Sequence, residues 1–183
     1  MSWTRFASTV SAAVLVGWAT CASAEEGEYG RSGPYLAGAA IYAFENFGDG
    51  KQSPDGSWGY NLRGGYRFNG YFALEIDWEQ YVGFNHSTGD SDIWLIGLGG
   101  IFYPFQGIVQ PFLGVGLGWS SVEDSRAPAE DDDGIAMLFD AGLDVYITRN
   151  WALTTSVGYY LPTSGVSNYD AIPLRFGVMY RFY

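Results

Sequence analysis

Cysteine, histidine and lysine are almost absent from this sequence of 183 residues, which has one of each: Cys21, His86 and Lys51. A single cysteine excludes a disulfide framework and a thiol-based metal site, and no cofactor is expected. The chain has 9 Lys and Arg against 20 Asp and Glu, for a formal net charge of −11. Nucleic acid is therefore excluded as a partner, because binding to phosphate needs a basic surface.

Long hydrophobic runs are also missing. No stretch has eighteen consecutive apolar residues, so the sequence predicts no transmembrane helix. If the chain spans a membrane, only a closed β-barrel remains, because that fold pairs all of its backbone groups internally.

The first residues have the pattern of a secretory signal peptide. Arg5 is their only charge, residues 12–19 are mostly apolar, and Ala22-Ser23-Ala24 precedes two glutamates. This pattern predicts cleavage after Ala24, with residues 1–24 as the signal and 25–183 as one domain. Lipoprotein cleavage before Cys21 is the alternative, although residues 18–20 lack the usual aliphatic residue.

Apolar and polar residues alternate with a period of two through most of the chain, as expected of β-strands with unlike faces. The pattern is sharpest over residues 71–82, where Phe72, Leu74 and Ile76 alternate with Glu75 and Asp77. Alanine and glycine fall on both faces of the first strand, so its faces remain unassigned. Eight strands are predicted, over residues 35–44, 57–68, 71–82, 92–103, 109–120, 134–147, 151–161 and 171–183.

The connections between these strands alternate between long and short. The short turns include Asn69-Gly70, a pair that favours a tight hairpin with positive φ. In an up-and-down antiparallel barrel the long connections share one end, as in outer-membrane barrels. The predicted fold class is therefore all-β, an eight-stranded antiparallel up-and-down transmembrane β-barrel with four outward loops, 45–56, 83–91, 121–133 and 162–170.

Aromatic residues near the strand ends identify the lipid face. The tryptophans of the predicted domain all lie on the apolar faces, and the last strand adds two more aromatic residues. Two belts at the water–lipid boundaries are expected. They consist of Trp58, Trp78, Trp94, Trp119, Trp151, Tyr180 and Phe182.

The opposite faces carry charges of both signs, which need partners if they are buried. An eight-stranded barrel is just wide enough for side chains to meet across it. We expect a charge network that plugs the lumen, with Arg175 and Arg181 reaching acids across glycines 97, 99, 114, 116 and 118. Its predicted members are Arg63, Arg67, Glu75, Asp77, Glu79, Asp140, Asp144, Arg175 and Arg181.

The final strand, residues 171–183, resembles the C-terminal strand of bacterial outer-membrane barrels, whose terminal aromatic residue the insertion machinery recognises. Together with the signal, the eight strands and the turn asymmetry, the chain resembles the small outer-membrane barrel superfamily of the OmpA transmembrane domain, OmpX-like and OmpW-like proteins. This resemblance implies export to the Gram-negative outer membrane, with lipid, lipopolysaccharide and the barrel-insertion machinery as partners. It favours a non-enzymatic structural or surface-interaction role through the outward loops.

Three alternatives concern particular residues. His86, beside Ser87, is the one place for general-base chemistry on a serine, as in a lipid A-modifying deacylase or acyltransferase, although the deacylase pattern has its His and Ser two apart on a strand. Ile93, Leu95, Phe112 and Leu138 could line a pocket for small hydrophobic molecules. The acidic residues of 121–133 could bind divalent cations, although their spacing matches no EF-hand. Gly114-x-Gly116-x-Gly118 lacks the spacing of a nucleotide loop.

Overall fold

A computed structural model describes residues 29–45, 57–86, 89–124, 132–164 and 171–182. The eight strands form one closed antiparallel barrel in sequence order, with β8 paired to β1. The expected eight-stranded up-and-down barrel is therefore confirmed, while the predicted signal lies outside the described residues. Among the described residues no helix has the length and apolar character needed to cross a membrane. The strands are β1 (Gly33–Glu45), β2 (Ser57–Arg67), β3 (Phe72–His86), β4 (Gly89–Phe102), β5 (Val109–Asp124), β6 (Asp132–Tyr146), β7 (Trp151–Ser164) and β8 (Ala171–Arg181).

The two faces of the sheet follow the sequence alternation. On β3, Leu74 and Ile76 are exposed on the outside, whereas Glu75 and Glu79 are buried inside. On β1, whose faces the sequence left open, the odd-numbered residues from Tyr35 to Ala43 are buried within the barrel. Because small residues occupy most of these positions, the lumen has room for long side chains from the facing strands.

The strands extend further at the loop end, the end with the predicted outward loops, than the sequence indicated. β3 reaches His86 and β4 starts at Gly89, and these two residues pair directly. The prediction of a loop over 83–91 was therefore wrong, and β5, β6 and β7 likewise extend into 121–133 and 162–170. Strand pairing needs backbone hydrogen bonds but no apolar face, so the ladders continue where the hydrophobic alternation stops.

The opposite end, called the turn end, has the turns 68–71, 103–108 and 147–150. In the first turn the Asn69 Oδ1 accepts hydrogen bonds from the amides of Tyr71 (2.8 Å) and Phe72 (2.9 Å). Gly33 alone among the described residues has positive φ, so the positive-φ turn predicted at Asn69-Gly70 was wrong. The asparagine side chain supplies the acceptor that shapes this turn.

β8 closes the barrel against β1 through a close backbone approach. A Cβ on Gly177 would lie 2.6 Å from the Cα of Ala39. The amide of Phe182 donates to the carbonyl of Pro34 (3.0 Å) at the turn end of this seam. Glycine at 177 therefore allows the first and last strands to meet.

Candidate functional site

Arg175 is at the centre of the lumen and joins three strands. Its Nε donates to Glu79 Oε1 on β3 at 2.6 Å, and its Nη1 donates to Asp140 Oδ1 on β6 at 2.8 Å. Arg175 and Glu79 are both buried. Charge-assisted hydrogen bonds of this geometry compensate the loss of water around each ion.

Glu79 receives hydrogen bonds on both carboxylate oxygens. The hydroxyl groups of Tyr81 and Tyr160 both donate to Oε2. On the opposite side the Asn61 amide donates to Glu79 Oε1 (3.2 Å) and to Asp77 Oδ1 (2.9 Å). A carboxylate with this many donors is held in one position.

A second ion pair lies towards the turn end. Arg63 Nη1 is 3.6 Å from Glu75 Oε1, and its Nη2 donates to Thr154 Oγ1 at 3.0 Å. The Tyr35 hydroxyl donates to Glu75 Oε2 at 2.8 Å. We call Arg63, Glu75, Glu79, Asp140 and Arg175 the central network. Asp144 is also buried, on β6 opposite Thr154.

Arg67 lies at the turn end, and its described partners are uncharged. Its described hydrogen bonds go to the carbonyls of Asn69 (3.1 Å) and Gly70 and to Gln110 Oε1 (2.7 Å). Its guanidinium also lies 4.0 Å from the centre of the Tyr103 ring. Sequence reasoning placed Arg67 in an acid–base network, whereas its described partners are carbonyls, an amide and a ring.

Arg181, also at the turn end, binds the beginning of the described chain. Its Nη1 donates to the Tyr29 carbonyl (2.6 Å) and to the Tyr146 hydroxyl (2.9 Å), and its Nη2 donates to the Arg31 carbonyl. The side chain points into the barrel, and these described partners are again neutral. Sequence reasoning missed Gln110 and Tyr146, although Gln110 is on the inward face two residues before Phe112.

Two apolar clusters flank the central network. Tyr81, Leu95, Leu138 and Tyr160 pack together on the loop side, whereas Phe112 packs with Tyr103, Tyr146 and others on the turn side. The predicted grouping of Leu95, Phe112 and Leu138 in one pocket was therefore wrong, and the side chain of Ile93 lies outside the described set. Neighbouring strands are staggered in a barrel, so inward residues at similar strand positions lie at different heights.

The space beside two glycines of β4 and β5, Gly97 and Gly118, is filled by Leu138 of β6 rather than by a side chain of β8. A Cβ on Gly97 would lie 2.7 Å from the Leu138 Cδ1, and one on Gly118 would lie 3.0 Å from it. A cavity of about 30 Å³ lies at Gly114 and Gly116 and borders Glu75, Asp77 and Asp140. Such a volume has room for about one water molecule.

Aromatic side chains lie on the outer surface towards both ends of the barrel. Towards the loop end the rings of Trp94 and Trp119 are 5.5 Å apart, and at the turn end those of Trp151 and Tyr180 are 4.8 Å apart. Trp58 and Phe182 are also exposed on the outside. Trp78 lies in the middle of β3, so its expected position near a strand end was wrong, because β3 extends to His86. The two aromatic belts stay a prediction.

The chemically reactive candidates of the sequence lie at the loop end, and some of them are outside the described residues. His86 ends β3 instead of lying within a long loop, and Ser87 lies outside the described residues. Glu123 and Asp124 belong to β5, Asp132 and Asp133 belong to β6, and Glu130 and Asp131 are outside the description. Within the described ranges no three His, Cys, Asp or Glu side chains are grouped to hold a metal ion.

Comparison with known proteins identifies the same class of protein in a family model and in solved structures, the outer-membrane β-barrels. Residues 10–182 match the model of a family described as outer membrane protein beta-barrel domain. No curated protein sequence matches. Neisserial surface protein A is 21% identical, with 82% of this chain and 98% of that chain covered at a TM-score of 0.70.

Two further solved structures have the same architecture. Ail, the attachment invasion locus protein of Yersinia pestis, is 20% identical, with 83% of this chain and 100% of that chain covered at a TM-score of 0.63. OprG from Pseudomonas aeruginosa is 16% identical, with 85% and 99% covered at a TM-score of 0.61. At these identities the likeness concerns the fold alone.

Proposed function

The chain belongs to the outer-membrane protein β-barrel domain family, and from that premise we propose that it is a non-enzymatic surface protein whose barrel displays its outward segments. The observation that carries the proposal is the central network, in which Arg175 joins β8 to Glu79 on β3 and Asp140 on β6. Ion pairs across the lumen occupy the path that a solute would take. The barrel is then a scaffold, and its contacts are made outside it.

The outward segments are strongly acidic. Residues 45–56, 83–91, 121–133 and 162–170 together have eleven Asp and Glu, and only Lys51 and Arg126 as cations. This negative charge favours a cationic partner. It also allows an anionic partner such as lipopolysaccharide, if divalent cations bridge the two surfaces. A structure of Ail contains the heparin analogue sucrose octasulfate. For the present chain we propose the opposite preference, because the acidic segments would repel a polyanion that no divalent ions bridge.

A charge-removal experiment tests this role. Because the outward segments include strand ends, the Asp and Glu residues of each segment are replaced in turn by Asn and Gln, and then in all four segments together, and the variants are expressed at matched levels in the outer membrane. We expect folded, heat-modifiable barrels that lose binding of a polycationic probe such as polylysine, with residues 121–133 giving the largest loss. Retained binding after these replacements in all four segments would contradict the surface role.

The enzyme alternative has a separate test. The proposal predicts that the lipid A acyl chains, measured by mass spectrometry, are the same with the wild-type chain, with His86→Ala and without the protein. A change that requires His86 would replace the surface proposal with lipid A modification. The conduit alternative has less support, because Leu95 and Leu138 pack within one cluster and Phe112 lies in the other.

A further inference from the structure

The turn end of the lumen contains a segment of the chain that is not part of any strand. Residues 29–31 precede β1 and contact side chains from the last strand, from β5 and from β6. We propose that this end of the lumen is a built-in binding site for peptide carbonyls, and that residues 29–31 occupy it as a stopper that closes the lumen towards the periplasm. The proposal does not depend on the surface role above.

Arg181 provides the main donors of this site. Its guanidinium donates hydrogen bonds to the carbonyls of Tyr29 and Arg31. These residues are two positions apart, so the backbone of the stopper bends around one planar group. The fork of guanidinium N–H groups is suited to holding two acceptors in a fixed geometry. Lysine has a single ammonium group and would not reproduce this arrangement.

Gln110 and Tyr146 complete the site. Gln110 Nε2 donates to the Tyr29 carbonyl (3.2 Å) and to the Gly107 carbonyl (2.9 Å). The Tyr29 and Tyr146 rings pack with their centres 5.2 Å apart. A buried glycine follows at Gly30, where a Cβ would lie 3.0 Å from the Gln106 Cδ. The stopper is therefore held by its backbone, by one ring and by one close contact.

The site exists only when the barrel is closed. The Arg181 amide donates to the Asn150 carbonyl (2.8 Å), and the Asn150 side-chain amide donates to the Arg181 carbonyl (2.8 Å). These bonds fix Arg181 against the turn between β6 and β7, while the Phe182 amide donates to the carbonyl of Pro34 at the start of β1. Because Arg181 is in the last strand, we expect β8 to pair with β1 and the stopper to bind in the same step of folding.

An engineered disulfide tests the position of the stopper. A Cβ at position 30 would lie 3.3 Å from the Gln106 Cγ, which is the atom that the sulfur of Cys replaces in Gln106→Cys. The variant Gly30→Cys/Gln106→Cys therefore places two cysteines within reach of a disulfide. The native Cys21 lies in the predicted signal. We expect an intramolecular disulfide in the folded barrel, detected by mass spectrometry of the N-terminal peptide. The control, Gly30→Cys/Ser57→Cys, pairs opposite ends and should keep free thiols. A folded Gly30→Cys/Gln106→Cys barrel with two free thiols would overturn the proposal.

Limited trypsin digestion tests the role of Arg181 independently. Trypsin cleaves after Arg31, at the carbonyl that Arg181 binds, and cleavage at the exposed Arg149 provides an internal reference. In Arg181→Met we expect cleavage after Arg31 to accelerate at least tenfold relative to Arg149, because two charge-assisted hydrogen bonds are lost.

Arg67→Met is the matched control. It removes a second buried arginine from the same end, one that has described bonds to Asn69, Gly70 and Gln110 but none to the stopper. We expect its relative rate of cleavage after Arg31 to change less than threefold. Equal acceleration in both variants, or none in Arg181→Met, would show that Arg181 does not hold the stopper. If Arg181→Met does not fold, the disulfide result decides alone.

Discussion

Arg175 and Arg67 are both buried arginines on the inner face, yet their partners differ in kind. Arg175, in the middle of the barrel, binds the carboxylates of Glu79 and Asp140. Arg67, at the turn end, binds the backbone carbonyls of Asn69 and Gly70. The partners differ because the backbone carbonyls are available at the turn end and not in the middle of the barrel. Mid-barrel carbonyls are used by the strand ladders, so an arginine there needs acidic side chains, whereas turns leave carbonyls free to accept.

This difference has an energetic consequence. Removing a carboxylate from the central network takes one counter-ion away from a buried cation, whereas removing Arg67 leaves only neutral acceptors, two carbonyls and an amide, without a donor. The first loss is therefore the larger.

Glu79→Ala should be the most destabilising change. It removes the acceptor of Arg175, Tyr81 and Tyr160 and leaves the guanidinium with Asp140 as its acidic partner. We expect the free energy of unfolding to fall by about 3–5 kcal/mol. Urea titration of the folded barrel in lipid vesicles, followed by gel mobility without boiling, measures this loss. The triple variant Glu79→Met/Asp140→Asn/Arg175→Met removes all three charges together and should recover part of the loss, and a triple variant less stable than Glu79→Ala would refute the ion-pair explanation.

Arg67→Met should cost less, about 1–3 kcal/mol. The apolar methionine still packs against Tyr103, and the freed acceptors are carbonyls and the Gln110 amide. The same urea titration compares the two variants directly. A loss equal to or larger than that of Glu79→Ala would contradict the distinction between charged and neutral partners.

The glycines beside the central network allow a matched pair. A Cβ at position 116 would lie 2.7 Å from the Leu98 carbonyl oxygen, whereas at position 97 the nearest atom is the mobile end of Leu138, at the same distance. Backbone cannot yield as a leucine side chain can, so Gly116→Ala should cost about 1–3 kcal/mol and Gly97→Ala clearly less. Thermal unfolding of the two variants in one detergent makes the comparison. The reverse order would show that the sheet yields more readily than the core.

Gln106→Met should have the smallest effect, and of opposite sign. Within the described part of the chain, both side-chain polar atoms of Gln106 are buried without a hydrogen-bond partner. Replacing an unsatisfied amide by an apolar group of similar size should leave stability unchanged or raise it by up to about 1 kcal/mol. A clear loss in the same thermal assay would show that the amide has a partner in solution.

Much of the fold could be predicted because a barrel with a lipid-facing outer surface imposes a strict period of two. Leu74 and Ile76 face outward and Glu75 inward, as their alternation indicated. The strand ends could not be found in this way, since His86 and Gly89 pair through backbone groups that every sequence provides.

The interior was predictable only in part, for a related reason. The inward direction of Arg175 follows from alternation, and its pairing with an acid follows from charge. The carbonyl partners of Arg67 and the binding of Arg181 to residues 29–31 depend on where the turns place backbone atoms, which side-chain patterns do not encode. The positions of Phe112 and Leu138 in separate clusters depend on the stagger between strands, which the sequence of a single strand does not reveal either.

The most direct test of the account is ionic conductance across a planar lipid bilayer. The central network and the stopper lie in series along the lumen, so the purified wild-type barrel should give no stepwise current. Arg181→Met should give none either, because the central network remains in place. Regular single-channel steps from the wild-type protein would contradict the closed lumen and would favour a conduit over a scaffold.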